Sequence, residues 1–478
     1  MGISSALKIE KADYARGIRK AASFMDRVNG FRDEVFNGKA KEEQGELWQT
    51  STLRDVKRLI LVNSAPRSGS SLLYAVLKDI PGLASISGEC VPFYKLNGIS
   101  TDLSPSDMIP DDVAGGVDFK RLSRDFLSDA SIGDATGTVL KDAGAARRYA
   151  SDLLLRFSIE WPQISFDAGV FSAIASKALL AHSRQCKRFS APEFYVELIK
   201  GLSNEYPQIN PYYYDMALSL VKKSFPDMDL PEGPPNDVLM IEEPPFILAN
   251  PRKKIDSNAL KDKALILKSP LNCYRMNFIR KAFPNAEIKI ISLARNPLAS
   301  VNGLYDGWLY RGFFSHNLKA ILNNGTRQLD IKGYSEKAPW ARWWWKFDLP
   351  PGWEGYTEKN LEEVCLFQWI SANKAGSDYL SKEKGVESCQ VRYEDLVGGI
   401  EKRQAEFRKI IGFLGFDGSV LRSLRINPLP VIQATAAPRQ SRWKDRWNML
   451  MPLVLGSKTA LEISEGLGYR KKDIDGWQ

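Results

Sequence analysis

Residues 64–73 of this chain read SAPRSGSSLL, and they directly follow the apolar run LILV of residues 59–62. A short β-rich run, a small-residue turn with hydroxyls and then a helical pattern is typical of a loop that cradles phosphate groups. Gly69 lets the backbone approach an anion, and the amides at the start of the helix supply donors and a favourable dipole. The stretch therefore predicts a strand–loop–helix unit that binds a phosphorylated nucleotide.

The loop lacks the lysine that nucleoside triphosphatases place in their phosphate loops. Their pattern, GxxxxGK[ST], would require glycine at Ser64 and lysine at Ser70. Phosphoryl transfer from ATP normally also needs a magnesium-binding carboxylate. The nearest imitation, VLMIEE at residues 238–243, runs into two prolines, and we interpret it as the start of a loop. Transfer of a sulfuryl group fits better, because that less charged group can be stabilised by arginine, lysine and backbone donors without a metal.

Four segments, in the right order, resemble motifs of the sulfotransferases that use 3′-phosphoadenosine 5′-phosphosulfate (PAPS). They are PRSGSSL at 66–72, similar to the 5′-phosphosulfate loop; KSP at 268–270, FPNA at 283–286 and ARNP at 294–297, similar to the block of the 3′-phosphate site; VRYEDL at 391–396; and the basic segment 439–447. The similar stretches cover roughly residues 58–90, 264–303 and 385–470. The resemblance implies a P-loop-like α/β fold, with a central parallel sheet flanked by helices.

The resemblance also implies where the donor binds. Arg67 and the backbone amides of Ser68, Gly69, Ser70 and Ser71 would hold the 5′-phosphosulfate of PAPS. The structural alternative is a glycine turn that only caps a helix.

Arg295 would, by the same resemblance, pair with the 3′-phosphate through its planar guanidinium. The family places a serine eight positions later, where this chain has Gly303. Ser300, Asn302 or the basic C-terminal segment would then supply the second contact. The candidates in that segment are Arg439, Arg442 and Lys444. An ordinary solvated basic face is the alternative for these three.

Glu89 is the predicted general base. It lies just after a short strand predicted at residues 83–87 and resembles the GE of tyrosylprotein and several bacterial sulfotransferases, in which the glutamate takes the proton of the acceptor hydroxyl. Lys268 matches the KxP lysine of the tyrosylprotein group and would neutralise charge on the bridging oxygen. His316 is the rival base, since many other sulfotransferases use histidine. Each residue also has a non-catalytic interpretation. Glu89 would then only face solvent, Lys268 would only end a strand, and His316 would only pack in the interior.

Tryptophans are concentrated in residues 304–360, which we interpret as an insertion that forms a lid over the acceptor. Such a lid would exclude water and stack on a flat, sugar-like or cationic acceptor. The alternative is that the tryptophans attach a long insertion to the core. The lid candidates are Trp308, His316, Trp343 and Trp344.

The hydrophobic pattern divides the chain into four parts. They are a helical arm (1–55), a nucleotide-binding core (56–100, 256–303 and 361–478), a helical insertion (101–255, with helices at 119–127, 168–180, 194–202 and 212–225) and the Trp-rich lid (304–360). Strands and helices alternate in the core. This predicts a parallel sheet covered on both faces, with ligands at the carboxyl ends of its strands.

The composition, 44% apolar and 26% charged, is that of a globular protein. No stretch approaches the ~18 consecutive apolar residues of a membrane span, and no secretory signal stands at the N-terminus, so we expect a cytoplasmic protein. Five scattered cysteines without a CxxC pair indicate reduced thiols, and two histidines offer little material for a metal centre. The net charge of +9 suits a polyanionic cosubstrate, and no arginine-rich run indicates nucleic-acid binding.

The predicted function is therefore transfer of a sulfuryl group from PAPS, without a metal, to a hydroxyl of a small-molecule, natural-product or glycan acceptor. Two other classes stay open. A kinase that uses the same loop on ATP would depend on Mg²⁺. A nucleotide-binding module without chemistry would bind adenosine 3′,5′-bisphosphate but turn nothing over, and glycine in place of the family's serine at Gly303 favours it.

Overall fold

The computed structural model describes residues 3–42, 46–322, 327–383, 385–435, 439 and 441–476, without the side chains of residues 3–18, 42, 475 and 476. Its strands are β1 (Arg58–Ser64), β2 (Leu83–Ser85), β3 (Ser131–Asp134), β4 (Arg252–Lys254), β5 (Ala264–Lys268), β6 (Glu287–Ala294), β7 (His316–Asn317), β8 (Trp344–Trp345) and β9 (Glu387–Arg392). Its α-helices are α1 (Ile3–Glu42), α2 (Leu47–Thr50), α3 (Ser70–Leu77), α4 (Val91–Leu96), α5 (Phe119–Asp129), α6 (Thr136–Val139), α7 (Ala143–Glu160), α8 (Ala168–Gln185), α9 (Ala191–Glu205), α10 (Leu218–Ser224), α11 (Ser257–Asp262), α12 (Met276–Ala282), α13 (Pro297–Leu309), α14 (Leu361–Lys382), α15 (Tyr393–Val397), α16 (Ile400–Phe413), α17 (Trp447–Leu455) and α18 (Lys458–Gly466). Within these described ranges, no helix combines the length and apolar character needed to cross a bilayer.

Seven strands form one sheet in the order β4-β3-β2-β5-β1-β6-β9. Strands β2, β5, β1, β6 and β9 pair in parallel, whereas β3 is antiparallel to both β2 and β4. In register, Leu59 of β1 lies opposite Leu265 of β5 and Ile288 of β6. The parallel strands therefore bring their carboxyl ends to one edge of the sheet. The predicted α/β fold, with a largely parallel sheet flanked by helices, is confirmed.

The central strand β1 is covered on both faces. Successive side chains of a strand point to opposite sides, so Leu59 and Leu61 pack in a core with α4, α5 and α12. Ile60 and Val62 pack on the other side with α3 and α16. Two-sided burial explains why this strand has a continuous apolar run instead of an alternating pattern.

Residues 101–255 do not form a purely helical insertion. Helices α7, α8 and α9 surround an aromatic core of their own, which includes Phe157 and Tyr195. Strands β3 and β4, however, extend the central sheet at one edge. Their sequences, SIGD and RKK, are short and have no apolar alternation, and this is why the sequence does not indicate them.

The helix predicted at residues 212–225 is wrong in its first half. Tyr214 forms a β-bridge with Phe246, which holds the chain extended, and α10 begins only at Leu218. Tertiary pairing has here prevailed over the local helical pattern.

Candidate active site

The loop between β1 and α3 has the backbone shape of an anion-binding turn. Arg67 and Gly69 both have positive φ angles, 61° and 93°. Because α3 begins at Ser70, its first amides face this turn. A side-chain carbon at position 69 would lie 2.3 Å from ring atoms of Tyr393. Glycine is therefore required here both for its φ angle and for the close approach of the tyrosine.

Arg67 is half-buried in this loop. Its guanidinium donates a hydrogen bond to the carbonyl oxygen of Gln433 at 3.1 Å and lies 5.1 Å from the centre of the Phe313 ring. Burial lowers the pKa of Arg67 to about 10, and the positive charges of Arg295 and Arg442 act in the same direction. The side chain stays charged at neutral pH, and the three arginines together make the loop attractive to anions.

Lys268 contacts both the loop between β1 and α3, which we call the phosphate loop, and Glu89, the predicted base. It is the last residue of β5, and its side chain is only 5% exposed. Its Nζ donates to Oγ of Ser71 at 2.8 Å and forms a close ion pair with Oε1 of Glu89. Glu89 follows β2, the neighbouring strand, and keeps 30% of its side chain exposed. The sheet edge thus brings a cation, a carboxylate and a hydroxyl from three separate segments into contact.

A buried charge cluster that the sequence did not indicate lies beside Glu89. Arg156 of α7 donates to Oγ of Ser87 at 3.2 Å and pairs with Glu160 at 2.9 Å and with Glu242 at 3.5 Å. Burial raises the pKa of Glu242 to about 8 and that of Glu160 to about 7, although the charge of Arg156 opposes both shifts. Arg156 and Glu242 line a cavity of about 40 Å³ together with Glu89. This cavity has room for a few waters next to the predicted base.

The turn after β6 holds Arg295 against the phosphate loop. Arg295 donates to the carbonyl oxygen of Arg67 at 2.8 Å, and its guanidinium lies 4.5 Å from the centre of the Tyr393 ring. Its Nε and the buried Oγ of Ser300 find no hydrogen-bond partner among the residues that the structure describes. Two buried hydrogen-bonding groups without a partner among the described residues, beside a positively charged loop, suit an anionic ligand group such as a phosphate.

Gly303 lies on α13, the helix that follows this turn. A side-chain carbon there would be 3.3 Å from Cβ of Arg67 and 3.7 Å from a guanidinium nitrogen of Arg295. A larger residue would press on Cβ of Arg67, whereas its distance to Arg295 would be an ordinary van der Waals contact. This close packing is a physical reason for glycine where the resembling family has serine.

The C-terminal basic segment reaches α13 through two arginines. Arg442 forms a close ion pair with Asp306. Arg446, which sequence reasoning missed, pairs with Asp306 at 2.7 Å and donates to Oδ1 of Asn302 at 2.5 Å. Arg446 lies within the predicted basic segment 439–447, but only the structure shows its contacts with Asp306 and Asn302 of α13.

Two other residues predicted in that segment make their contacts within the segment itself. Arg439 is exposed and pairs with Asp445, two residues before α17 begins at Trp447. Lys444 is also exposed, with its Nζ 5.6 Å from the centre of the Trp443 ring. Arg442 thus pairs with Asp306 of α13 and adds positive charge beside Arg67, whereas the contacts of Arg439 and Lys444 stay within the segment.

The lid candidates Trp308 and Trp344 are buried. Nε1 of Trp308 donates to Gln368 at 2.8 Å inside the core of α13 and α14, and Trp344 packs against Phe314 in the core of the insertion. Trp343 is half-buried, with the ammonium of Lys319 5.2 Å from its ring centre. The indoles thus attach this segment to two cores.

His316 is buried in an ion-pair network. Its Nε2 lies 3.3 Å from Oδ2 of Asp107, which also pairs with Arg275 at 2.6 Å. Burial lowers the pKa of His316, but the charge of Asp107 outweighs this and leaves the pKa above its usual value. The carboxylate of Asp107 stabilises the protonated form of this imidazole.

No family model matches this chain, and no curated protein does. Comparison with solved structures finds sulfotransferase domains. One, from the curacin biosynthetic pathway, shares 14% sequence identity at a TM-score of 0.35, and the match covers 87% of this chain and 98% of the other. Another, from the olefin synthase of Synechococcus PCC 7002, shares 13% identity at a TM-score of 0.33, covering 86% and 96%. Because both TM-scores are low, we argue the function from the side chains alone.

Proposed function

We propose that the protein is a sulfotransferase that moves a sulfuryl group from PAPS to a hydroxyl of a small-molecule, natural-product or glycan acceptor. The observation that carries the proposal is the position of Lys268, whose Nζ contacts both Ser71 of the phosphate loop and Glu89. A cation beside the loop and a carboxylate beside the cation are the two groups that sulfuryl transfer needs around the reacting sulfur.

The chemistry divides between these two side chains. The carboxylate of Glu89 would accept the proton of the acceptor hydroxyl while the hydroxyl oxygen forms a bond to sulfur. The bond between sulfur and the bridging phosphate oxygen breaks in the same displacement, and Lys268 would donate a hydrogen bond to that oxygen as charge develops on it. The products are a sulfate ester and adenosine 3′,5′-bisphosphate.

The remaining contacts suit the two anionic groups of the donor. Arg67 and the amides from Ser68 to Ser71 would hold the 5′-phosphosulfate. Arg295 and Ser300 would meet the 3′-phosphate, since each has a buried polar atom with open capacity. Arg442 adds positive charge from the C-terminal segment. All of these stabilising groups are protein donors, so the proposed transfer requires no metal. A cytoplasmic location and the absence of a nucleic-acid partner stay predictions.

Selective nucleotide binding tests this proposal before any acceptor is known. A ligand that binds the folded state raises the melting temperature by mass action. We expect a rise with adenosine 3′,5′-bisphosphate that adenosine 5′-phosphate and ATP–Mg²⁺ do not match. A rise only with ATP–Mg²⁺ would favour a kinase. Tight bisphosphate binding without release of sulfate or transfer from PAPS in any acceptor mixture would favour a module without chemistry.

A further inference from the structure

One residue outside the predicted motifs occupies the phosphate loop. The main-chain carbonyl of Gln433 accepts a hydrogen bond from the guanidinium of Arg67 at 3.1 Å, and its Oε1 accepts one from Oγ of Ser71 at 3.2 Å. Arg67 and Ser71 both belong to the residues that would hold the 5′-phosphosulfate, Arg67 through its guanidinium and Ser71 through its amide beside this hydroxyl. The two oxygens of Gln433 therefore stand where oxygens of an anionic ligand would be bound.

The other two polar groups of Gln433 are held by the insertion. Its main-chain N–H donates to Oδ2 of Asp215 at 3.1 Å, and its Nε2 donates to the carbonyl oxygen of Pro245 at 3.3 Å. Asp215 and Pro245 are neighbours because Tyr214 and Phe246, next to them, form a β-bridge. Gln433 thus links the loop between β1 and α3 to Asp215 and Pro245 of the insertion.

The backbone of Gln433 shows that contacts, and not local preference, hold it there. Its φ angle is 46°, in the left-handed region that residues other than glycine rarely adopt. A residue stays in this region only where its surroundings fix it. Removal of its contacts would therefore release the segment.

We propose that the strap, residues 431–435 with Gln433 at its centre, is an internal competitor that closes the donor site until an anionic nucleotide displaces it. This inference rests on the proposed function, in which Arg67 and Ser71 hold the anionic end of the donor. The strap and the bound nucleotide would use the same two residues, Arg67 and Ser71, so binding of one excludes the other. The apparent dissociation constant of the nucleotide is then its intrinsic value divided by the fraction of molecules with an open strap.

The first test is the affinity of the full chain for adenosine 3′,5′-bisphosphate, measured by calorimetry. Gln433→Ala removes both side-chain hydrogen bonds, and each is worth about a factor of five in an equilibrium constant. We expect this variant to bind the bisphosphate at least about fivefold more tightly than the wild type. Gln404→Ala, on the surface of α16, is the matched control and should leave the affinity unchanged. Equal or weaker binding by Gln433→Ala would overturn the proposal, because it would make Gln433 either irrelevant or a ligand contact.

The second test uses the wild type only and does not depend on which nucleotide is correct. Hydrogen exchange of peptides that span residues 427–435 is followed while adenosine 3′,5′-bisphosphate or inorganic pyrophosphate is added. Displacement of the strap predicts faster exchange there, and slower or unchanged exchange with both probes would refute it. If the bisphosphate fails to bind but pyrophosphate accelerates exchange, the strap proposal stands and the proposed donor is wrong.

Discussion

Replacing Arg295 by alanine should weaken binding of adenosine 3′,5′-bisphosphate much more than binding of adenosine 5′-phosphate. One guanidinium nitrogen of Arg295 is used on the carbonyl oxygen of Arg67, and Nε is buried with no partner among the described residues. A hydrogen bond between charged groups contributes about 1.5–3 kcal/mol. If the open Nε–H meets the 3′-phosphate, its loss raises the dissociation constant by roughly 10- to 150-fold. Adenosine 5′-phosphate has no 3′-phosphate, so its affinity should not depend on this hydrogen bond.

Calorimetry at one salt concentration gives the dissociation constants of both nucleotides. The factor by which Arg295→Ala raises each constant shows whether the arginine contacts the 3′-phosphate. Arg295→Lys keeps the charge but not the planar guanidinium, so its affinity for adenosine 3′,5′-bisphosphate should lie between those of the wild type and Arg295→Ala. Arg425→Ala is the matched control, since that arginine is exposed and forms an ion pair with Asp79 at 2.7 Å. If Arg295→Ala weakens both nucleotides by the same factor, the arginine only supports the loop through the carbonyl of Arg67. The assignment to the 3′-phosphate would then be wrong.

Three further changes test other parts of the site. Glu89→Gln should abolish transfer and leave the affinity for the bisphosphate nearly intact, and normal turnover would remove Glu89 as the base. Gly69→Ala should lower the free energy of unfolding by at least about 1 kcal/mol in a urea titration, because the new carbon meets Tyr393 and the φ angle is 93°, whereas Gly412→Ala, with open space in α16, should not. The pKa of Glu242 is raised to about 8 from an ordinary 4.5, so the folded state holds a proton that the unfolded chain releases between these values, and stability falls as pH rises through that window. Glu242→Gln should reduce the difference in melting temperature between pH 5 and pH 8, and an unchanged difference would contradict the origin given for it.

The strands of the sheet differ in how visible they are in the sequence. Strand β1 is buried on both faces, so it has a continuous apolar run that indicates it without any alignment. Strand β4 lies at the edge of the sheet and β3 lies between it and β2; both strands have only three or four residues and partly face solvent. Such strands are defined by backbone hydrogen bonds to the sheet. These bonds do not require an alternation of apolar and polar residues, so the sequence does not indicate the strands.

The site residues divide in a similar way. Ser71 lies at the start of α3, Lys268 ends β5 and Glu89 follows β2, so the rule that ligands bind at the carboxyl edge places them together. Arg156 and Gln433 obey no such rule. Arg156 reaches the site from the C-terminal part of α7, and Gln433 from an irregular segment. Their positions depend on how the insertion and the C-terminal segment pack, which the local sequence does not specify.

The ion pair between Lys268 and Glu89 has a consequence for the order of events in transfer. While Glu89 carries its charge, its carboxylate shares Nζ of Lys268 with the hydroxyl of Ser71. In the proposed transfer, uptake of the acceptor proton would neutralise Glu89 and weaken its hold on the ammonium. The ammonium would then have a hydrogen bond to give at the stage when the bridging oxygen gains charge. We therefore expect base and electrophilic aid to act as one coupled pair. The effects of Glu89→Gln and Lys268→Met on transfer should then be far from additive, and a double variant that loses the full sum of both free energies would show that the two groups act independently.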